Sequence, residues 1–421
     1  MQDVQDAVIQ ANDKDLSLLR MLSPQIKSDP HKLYRPLREY DPVHWDPYMH
    51  AWVVSSYAEV VTVLMNCSAD RTPPPAFLDQ LGLSFMKPFA ETMLKQMMFM
   101  DGAMHYRLRS ICSAAFTPKR VEGLRSTIAE TADELIDNVI ERGSMDMIAD
   151  FANALPAIVT ARLLGVPRED HEQLHAWVLD LAEVLGNFQH HPRRVAEIVQ
   201  SLEDLKAYVA ETMEQQRKHP TGGLIRSLMD AEVNGQRLSD EEVVANTIIT
   251  LIGGHETTTN LIASGFLTLL RNPPALEQFR SNPEIAASAV EELLRWESPV
   301  QHTARIATAE IQIGSRTIPK NAKVVAVLAA ANRDPSRFPD PERLDLLRTD
   351  NRHVAFGWAA HFCFGAPLAR MEGQIAFNKL LQRLQNPFLM ETQLEWRENA
   401  GLRGLTRLNI GFQHGARLRM N

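Results

Sequence analysis

The sequence predicts a mainly α-helical, multi-helical fold with one long central helix and a small antiparallel β region. Helical periodicity dominates from about Met104 to Trp296. Short runs rich in β-branched residues lie outside that region, at residues 52–54 and again after Trp296. A large helical middle with short β-rich segments on both sides predicts this fold class.

Composition predicts a globular chain with a large core. Of its 421 residues, 45% are hydrophobic and 23% are charged, and no stretch has the composition of a linker or repeat. We therefore expect a single domain over residues 1–421. Its β-rich portion should lie mainly in 35–70 and 300–420, and its helical portion mainly in 71–299 and 367–385.

Charge and cysteine content limit the partners and the compartment. The net charge of −8 argues against nucleic acid as the main partner. Three distant cysteines, Cys67, Cys112 and Cys363, cannot form a fully paired disulfide framework. Residues 1–15 have neither a basic start nor an apolar run, and no later segment has about 18 consecutive apolar residues. We expect a soluble, cytoplasmic protein without a membrane partner.

The central helix can be delimited from its ends. Ser239 and Glu242 form a capping-box pattern, and Pro273 and Pro274 stop the helix after Asn272. The helix should have roughly 30 residues and a length of about 45 Å.

The chain after this helix predicts the remaining elements. Pro283 opens another helix, which ends before Pro299. Two β-like runs, IQIGSRTIP and KVVAVLAA, precede a meander rich in proline and aspartate. A loop around Cys363 and a final helix from about Pro367 follow.

The loop AFGWAAHFCFGAPLAR surrounds Cys363 with aromatic residues and glycines. An isolated cysteine is most often a small buried apolar residue. Here Pro367 places the thiol just before a helix N-terminus, where backbone N–H groups should lower the thiol pKa. Zinc would need more Cys or His ligands, and a cysteine protease would need an oxyanion hole. One thiolate in an apolar cage suits an axial bond to a large flat metallocycle.

This segment resembles the haem-binding loop of cytochromes P450, F-G-x-G-x-H-x-C-x-G followed by A-R. The matching residues are Phe356, Gly357, His361, Cys363, Gly365, Ala369 and Arg370. Ala359 replaces the usual glycine, and we expect a modest backbone adjustment there. The resemblance implies that Cys363 is the axial ligand of haem iron and that Phe356, Gly365 and His361 help to bind the haem.

The motif LIGGHETTTN lies within the long helix. Two adjacent glycines there cost about 1 kcal/mol each relative to alanine, and Gly253 and Thr257 share a face. A helix crossing that needs small residues, with Thr257 bonded back to a carbonyl, would explain them. The motif also matches the family pattern [AG]-G-x-[DE]-T-[TS]. The resemblance implies an O2 groove at Gly253, with Glu256 and Thr257 as the catalytic residues that handle protons.

Two further motifs carry charged residues. Burying the two propionates of haem requires paired cations or donors, and the resemblance assigns this task to His105, Arg109, Arg305 and His361. Gly102 and Ala103 stand where bacterial members usually have two prolines, so we expect a more mobile entry to that helix.

The pattern EELLR places Glu292 and Arg295 three residues apart on one helix face. In the family this pair is buried, and it is locked against an arginine of the meander, here taken as Arg343. Its role is structural, behind the haem loop.

The resemblance implies a monooxygenase that carries haem b and uses O2. Electrons should come from NAD(P)H through a separate ferredoxin and ferredoxin reductase, because the chain contains no GxGxxG or flavin element. We expect a monomer. The Met- and Phe-rich residues 85–98 favour an apolar small-molecule substrate, of natural-product type.

Other haem-thiolate roles remain open at this point: a peroxygenase, an isomerase or an oxidative-coupling enzyme. A non-enzymatic gas-binding haem protein is less favoured, because no effector domain is attached. Turnover with peroxide alone would separate the first of these from a monooxygenase.

Overall fold

The computed structural model describes residues 16–186 and 192–414, and helices dominate this part of the chain. The α-helices are Pro24–Ser28, His31–Tyr40, Tyr57–Asn66, Pro75–Gln80, Lys87–Met93, Gly102–Ala115, Pro118–Glu122, Arg125–Ile140, Ala154–Leu164, His171–Gly186, Pro192–Lys218, Gly223–Asp230, Asp240–Arg271, Pro273–Ser281, Ala286–Trp296, Leu328–Ala331 and Ala366–Arg383. Short 3-10 turns occur at Leu18–Leu22, Ser84–Met86, Met97–Phe99, Arg168–Asp170, Pro283–Ile285 and Ala359–His361, and a π-helix at Met147–Ala152.

The strands form small sheets at the edges of this helical body. They are β1 Val43–Asp46, β2 Ala51–Val54, β3 Ser144–Asp146, β4 Glu232–Val233, β5 Gln236–Arg237, β6 Thr303–Ile306, β7 Ile311–Ile313, β8 Arg316–Ile318, β9 Lys323–Ala326, β10 Leu384–Leu389 and β11 Asn409–His414. The largest sheet has the order β1-β2-β9-β6, another has the order β10-β11-β3, and β4-β5 and β7-β8 pair as hairpins. The β2–β9 pairing is parallel, which departs from the purely antiparallel expectation. Parallel neighbours need a long connection, and here most of the helices lie between the two strands.

The long helix, Asp240–Arg271, has the predicted start and end. The hydroxyl of Ser239 accepts a bond from the Glu242 amide, and the Glu242 carboxylate accepts one from the Ser239 amide, so both halves of the capping box form. Most of its residues are buried. The helix therefore passes through the core and can carry side chains into an interior site.

The helix that follows Cys363, Ala366–Arg383, packs directly on the long helix. A Cβ on Gly265 would lie 2.6 Å from the ring of Phe377, and one on Gly373 would lie 3.2 Å from Leu261. Without a Cβ at these two glycines the helices approach each other closely. The contact places the cysteine loop beside the middle of the long helix.

Residues Met147–Leu164 are long and apolar enough to cross a membrane by composition, but 72% of this segment is buried inside the protein. It is therefore accounted for as a core segment.

Candidate active site

A large cavity lies between the long helix and the cysteine loop. Its volume, including the opening to the surface, is about 1580 Å³. Gly253 and Thr257 line it from the long helix. It brings together all the residues predicted to bind the cofactor: His105, Arg109, Gly253, Arg305, Phe356, His361, Cys363 and Gly365.

Cys363 is held by backbone hydrogen bonds. Its amide donates to the carbonyl oxygen of Phe356 at 2.8 Å. Burial raises the pKa of the thiol, and the amides of Gly365 and Ala366 and the guanidinium of Arg109 only partly oppose this. The expectation of a lowered thiol pKa is therefore wrong for the protein without a metal, because desolvation of the anion outweighs the helix start. A bound metal cation would supply the positive charge that a thiolate needs here.

The cysteine loop turns through left-handed backbone. Gly357 has φ +71° and Ala359 has φ +54°. Ala359 thus adopts the conformation that a glycine would take at no steric cost, and the loop keeps its turn at the expense of strain at one residue. Gly102, at the start of the His105 helix, has φ +62°, which the ring of a proline would forbid.

Two histidines lie side by side at one edge of the cavity. The ring centroids of His105 and His361 are 4.2 Å apart, and Nε2 of His361 is 2.8 Å from the Asp101 carboxylate. Burial, then the charges of His361 and Arg109, lower the pKa of His105 to about 4. Nε2 of His105 has no hydrogen-bond partner among the described residues.

The arginines of this edge are buried to different extents, Arg305 almost fully and Arg109 in part. Arg305 is 6% exposed and donates from Nη1 to the Thr303 hydroxyl and the Ala304 carbonyl, both at 2.9 Å. Its Nε has no partner in the described part of the chain. Arg109 donates from Nη2 to the carbonyl of Phe362 at 2.7 Å. Each guanidinium keeps donors for a further anion.

Arg71 joins this group and was missed by the sequence analysis. It lines the cavity, lies over the ring of Phe99 at 4.6 Å and donates to the carbonyl of Ala69. Burial and the charge of Arg305 lower its pKa to about 10, against an opposing effect of Asp101. The sequence signal was slight: one arginine ahead of three prolines.

These donors fit a haem. Arg71, Arg109 and Arg305 line the cavity, and the carboxylate of Asp101 acts on the charges of Arg71 and Arg305 only, so this cluster of three cations needs further anions, which two propionates would supply. The buried, unpartnered Nε of Arg305 can donate a hydrogen bond to a propionate oxygen, and so can Nε2 of His105 in the tautomer that carries its proton there. Cys363 would hold the iron.

In the middle of the long helix, the Gly253–Thr257 motif has features of both explanations, a packing role and a groove that opens to the cavity. The Thr257 hydroxyl donates to the Gly253 carbonyl at 2.6 Å, as the packing explanation requires. Thr257 also lines the cavity, and a Cβ on Gly253 would meet no atom within 4 Å. Because Gly253 has no side chain, the surface of the long helix is open to the cavity at this point, next to the Thr257 hydroxyl.

Glu256 is turned away from the cavity. Its side chain is 4% exposed and both carboxylate oxygens contact Nη1 of Arg397, at 2.7 and 2.8 Å. Asn260 also donates to it, at 3.2 Å. The carboxylate does not belong to the cavity wall, because the turn from Thr257 to Glu256 rotates it to the other side of the helix.

The structure places the buried Glu292–Arg295 pair as predicted but corrects its partner. Arg295 bonds both oxygens of Glu292, at 2.7 and 2.8 Å, and both side chains are fully buried. The arginine of the meander is Arg348, whose Nε is 3.1 Å from Glu292. Arg343 is not that residue: its side chain is 70% exposed beside Asp345, and only its carbonyl faces the pair. The spacing of residues in the sequence does not show which arginine of the meander points toward Glu292.

Comparisons with known proteins agree with this geometry. Residues 38–414 match the family model described as Cytochrome P450. The chain is 35% identical over 394 residues to the biotin biosynthesis cytochrome P450 of Bacillus subtilis (strain 168), covering 93% of this chain and 98% of that protein. It is 36% identical over 388 residues to the mycinamicin IV hydroxylase/epoxidase of Micromonospora griseorubida, covering 90% and 94%.

A solved structure of P450BioI in complex with acyl carrier protein ligated to hexadec-9Z-enoic acid superposes with a TM-score of 0.85. It is 35% identical, and the match covers 92% of this chain and 99% of that one. The mainly helical fold is thereby confirmed. The chain belongs to the cytochrome P450 family of haem-dependent monooxygenases.

Proposed function

We propose that this protein inserts one atom of O2 into an apolar small molecule, with Cys363 as the axial ligand of haem b. The observation that carries the proposal is that the Cys363 thiol, the Thr257 hydroxyl and the cluster of cations line one cavity. When bound, the haem would supply the oxygen activation, which a thiolate ligand favours.

The protein's own residues would bind, orient and hold protons. Thr257 directs its hydroxyl proton at the Gly253 carbonyl, so its oxygen can accept a hydrogen bond from the cavity side. Glu256 remains our proposed relay of protons from solvent, and opening of its ion pair with Arg397 would free the carboxylate for that role. Arg71, Arg109, Arg305 and the two histidines would hold the propionates.

The remaining assignments extend this proposal. Electrons would come from NAD(P)H through a separate ferredoxin and ferredoxin reductase. The protein would act in the cytoplasm as a monomer, and residues 1–421 would form a single catalytic domain. The lack of a GxGxxG or flavin motif in the sequence supports a separate electron donor.

The substrate would be an acyl chain or a polyketide-like molecule of natural-product metabolism. Met97, Met98, Leu163, Ile249 and Val300 give the cavity apolar walls. The relatives are named for biotin biosynthesis and for mycinamicin IV, and one solved structure holds an acyl carrier protein ligated to hexadec-9Z-enoic acid, which supports a substrate of this class. Part of the Met- and Phe-rich run lies elsewhere, since Phe85 is 45% exposed.

Carbon monoxide binding tests the ligand assignment. Reduced protein exposed to carbon monoxide should show the strongly red-shifted Soret band of thiolate ligation, and Cys363→Ser should abolish it. Cys67→Ala is the control, because Cys67 is buried in a separate core beside the large sheet. If Cys363→Ser keeps the band, or Cys67→Ala loses it, the ligand is misassigned.

Turnover tests the reaction. With ferredoxin, reductase and NAD(P)H, a substrate that shifts the haem spin state should give an oxygenated product. The main alternative is a peroxygenase, which would form product from peroxide alone and no more product with the electron-transfer system. That result would refute the monooxygenase proposal.

A further inference from the structure

An ion pair beside the cysteine loop is not used by the proposed function. The carboxylate of Glu291 accepts two hydrogen bonds from Arg370, from Nε at 2.7 Å and from Nη2 at 2.8 Å. Arg370 belongs to the helix that follows Cys363, Ala366–Arg383. A carboxylate and a guanidinium joined by two bonds hold each other in one orientation. The pair therefore fixes where the positive charge of Arg370 lies.

His353 adds a third hydrogen bond to this carboxylate, from the chain segment before the loop. Its Nδ1 accepts from the Ala355 amide at 3.2 Å, so its proton is on Nε2, which lies 3.2 Å from Oε2 of Glu291. Burial alone would raise the pKa of Glu291, but the hydrogen bonds from Arg370 and His353 lower it to about 2. Glu291 is therefore an anion at neutral pH, bound to residues that precede and follow the cysteine.

Both partners of Glu291 contact Phe356. The guanidinium of Arg370 lies 4.6 Å from the centre of the Phe356 ring, and the centre of the His353 ring lies 5.9 Å from it. A cation over the face of an aromatic ring is attracted to that ring. The carbonyl of Phe356 accepts the hydrogen bond from the Cys363 amide. Through these contacts Glu291 is connected to the backbone of the cysteine.

The charge of Arg370 also acts on Cys363. The hydrogen bond to Glu291, and then the charges of Glu291 and Cys363, raise the pKa of this guanidinium. Arg370 is not among the described residues that line the cavity, so it would act on a bound metal ion through the protein and not by contact. A role in stability alone would be the simpler explanation. The side chains of Arg370 and Glu291 are 31% and 26% exposed, however, so their contribution to stability should be small.

We propose that Arg370 and Glu291 are positioning residues for the axial thiolate: Arg370 places a positive charge near Cys363, and Glu291 fixes that charge and offsets part of it. The inference rests on the proposed haem-thiolate function. Charges and hydrogen bonds around the ligand set the reduction potential of haem iron. Since reduction adds an electron to the site, a nearby cation favours it and a nearby anion opposes it. The pair therefore sets how readily the protein accepts its first electron.

Variants that break the ion pair from either side test this assignment. Glu291→Gln leaves the cation of Arg370 without its counter-charge, so the equilibrium constant for reduction of the haem iron should rise about two- to fivefold, the range for charges at partly exposed sites. Arg370→Gln leaves the carboxylate instead, so this constant should fall by a similar factor. Arg370→Lys keeps the charge without the planar fork and should stay close to the wild type. Redox titration followed by absorbance measures each constant.

The opposite signs separate a charge effect from a structural one, because both glutamine variants break the same contact. Asp133→Asn is the matched control: Asp133 binds Lys379 and Arg383 of the same helix as Arg370, at 2.5 and 3.3 Å, and is not among the residues that line the cavity. It should leave the constant unchanged. A shift of the same sign in both glutamine variants, no shift in either, or an equal shift in Asp133→Asn overturns the inference. A shift in Arg370→Lys equal to that in Arg370→Gln overturns it as well.

The carbon monoxide spectrum separates this inference from the proposed function. All of these variants keep Cys363, so their reduced forms should show the red-shifted Soret band of thiolate ligation. Variants that keep this band without shifting the reduction constant in opposite directions overturn the inference alone. A wild type without the band overturns the proposed function, and the inference with it.

Discussion

The carboxylate of Glu256 is bound to the guanidinium of Arg397, with Nη1 2.7 Å from Oε1 and 2.8 Å from Oε2. The acid next to Thr257 is thus tied to a residue 141 positions later in the chain. Breaking a buried ion pair is costly, and here Arg397 remains 20% exposed. We expect Arg397→Gln to lower the free energy of unfolding by about 2 kcal/mol, measured by chemical denaturation.

A double-mutant cycle isolates this pair. Arg397→Gln leaves the Glu256 carboxylate buried without its cation, and Glu256→Gln removes that carboxylate charge. The double variant should therefore recover part of the lost free energy of unfolding, with a coupling energy of about 1–3 kcal/mol. Strictly additive losses would show that the two side chains do not stabilise each other.

Arg348 and Arg343 form a natural comparison. Arg348 is 3.1 Å from the fully buried Glu292, whereas Arg343 projects into solvent. Arg348→Ala should lower the free energy of unfolding by about 2–3 kcal/mol, because it removes a cation from a buried carboxylate. Arg343→Ala should change it by no more than about 0.5 kcal/mol. Equal effects in denaturation experiments would contradict the structural assignment.

The backbone conformation of Ala359 predicts that replacing this residue by glycine stabilises the protein. Its φ of +54° is strained for alanine and free for glycine. Ala359→Gly should raise the free energy of unfolding by about 1 kcal/mol. Glycine removes the strain of the left-handed backbone, and the greater conformational entropy of glycine in the unfolded chain offsets part of this gain. Ala360→Gly, the next residue of the same turn, is the control and should destabilise by about 0.5–1 kcal/mol. Destabilisation by both would argue against strain at Ala359.

The buried carboxyl group of Glu372 predicts that the stability of the folded protein depends on pH. Burial raises the pKa of this carboxyl to about 8, and Oε2 has no partner in the described part of the chain. The pKa in the folded state exceeds the unfolded value of 4.5, so the folded protein loses stability as the pH rises from that value toward 8. Glu372→Gln should therefore be more stable than the wild type, with an advantage about 3 kcal/mol larger at pH 8 than at pH 5.

Denaturation of both proteins at these two pH values measures the difference. Glu284→Gln, at an exposed position, is the control and should show no such trend. An advantage that is the same at both pH values would mean that Glu372 is not protonated in the folded protein.

Thr257→Ala should divert reducing equivalents into peroxide. The hydroxyl faces the cavity while bonded to Gly253, and alanine removes it without altering the helix. We expect haem and substrate binding to persist while peroxide released per NAD(P)H rises and product falls. Thr257→Ser keeps the hydroxyl and should stay close to wild type. Unchanged coupling in the alanine variant would remove Thr257 from the mechanism.

Local patterns were sufficient for much of the fold. The capping box at Ser239 and the prolines after Asn272 predict the ends of the long helix because they act on neighbouring backbone groups. The loop around Cys363 and the Gly253–Thr257 motif were identifiable for the same reason, since glycine, proline and residue spacing constrain the chain locally. The cofactor-binding residues that the family resemblance implied all line one cavity.

The direction in which a side chain points, and how deeply it is buried, depend on residues far away in the chain. For these properties the sequence-based expectations were wrong. Glu256 lies behind the long helix because Arg397 arrives there from the far end of the chain. The sign of the shift in the thiol pKa of Cys363 follows from desolvation by surrounding elements, which spacing does not reveal.

The sequence by itself determined the fold class, the long helix and the position of the cysteine loop, because these follow from short-range backbone and side-chain rules. The candidate haem contacts followed from the resemblance of its motifs to the family. Only the tertiary structure decided that Arg348 rather than Arg343 reaches Glu292 and that Arg71 joins the cation cluster. Each of these depends on which side chains distant segments bury against one another, and that is a property of the packed chain.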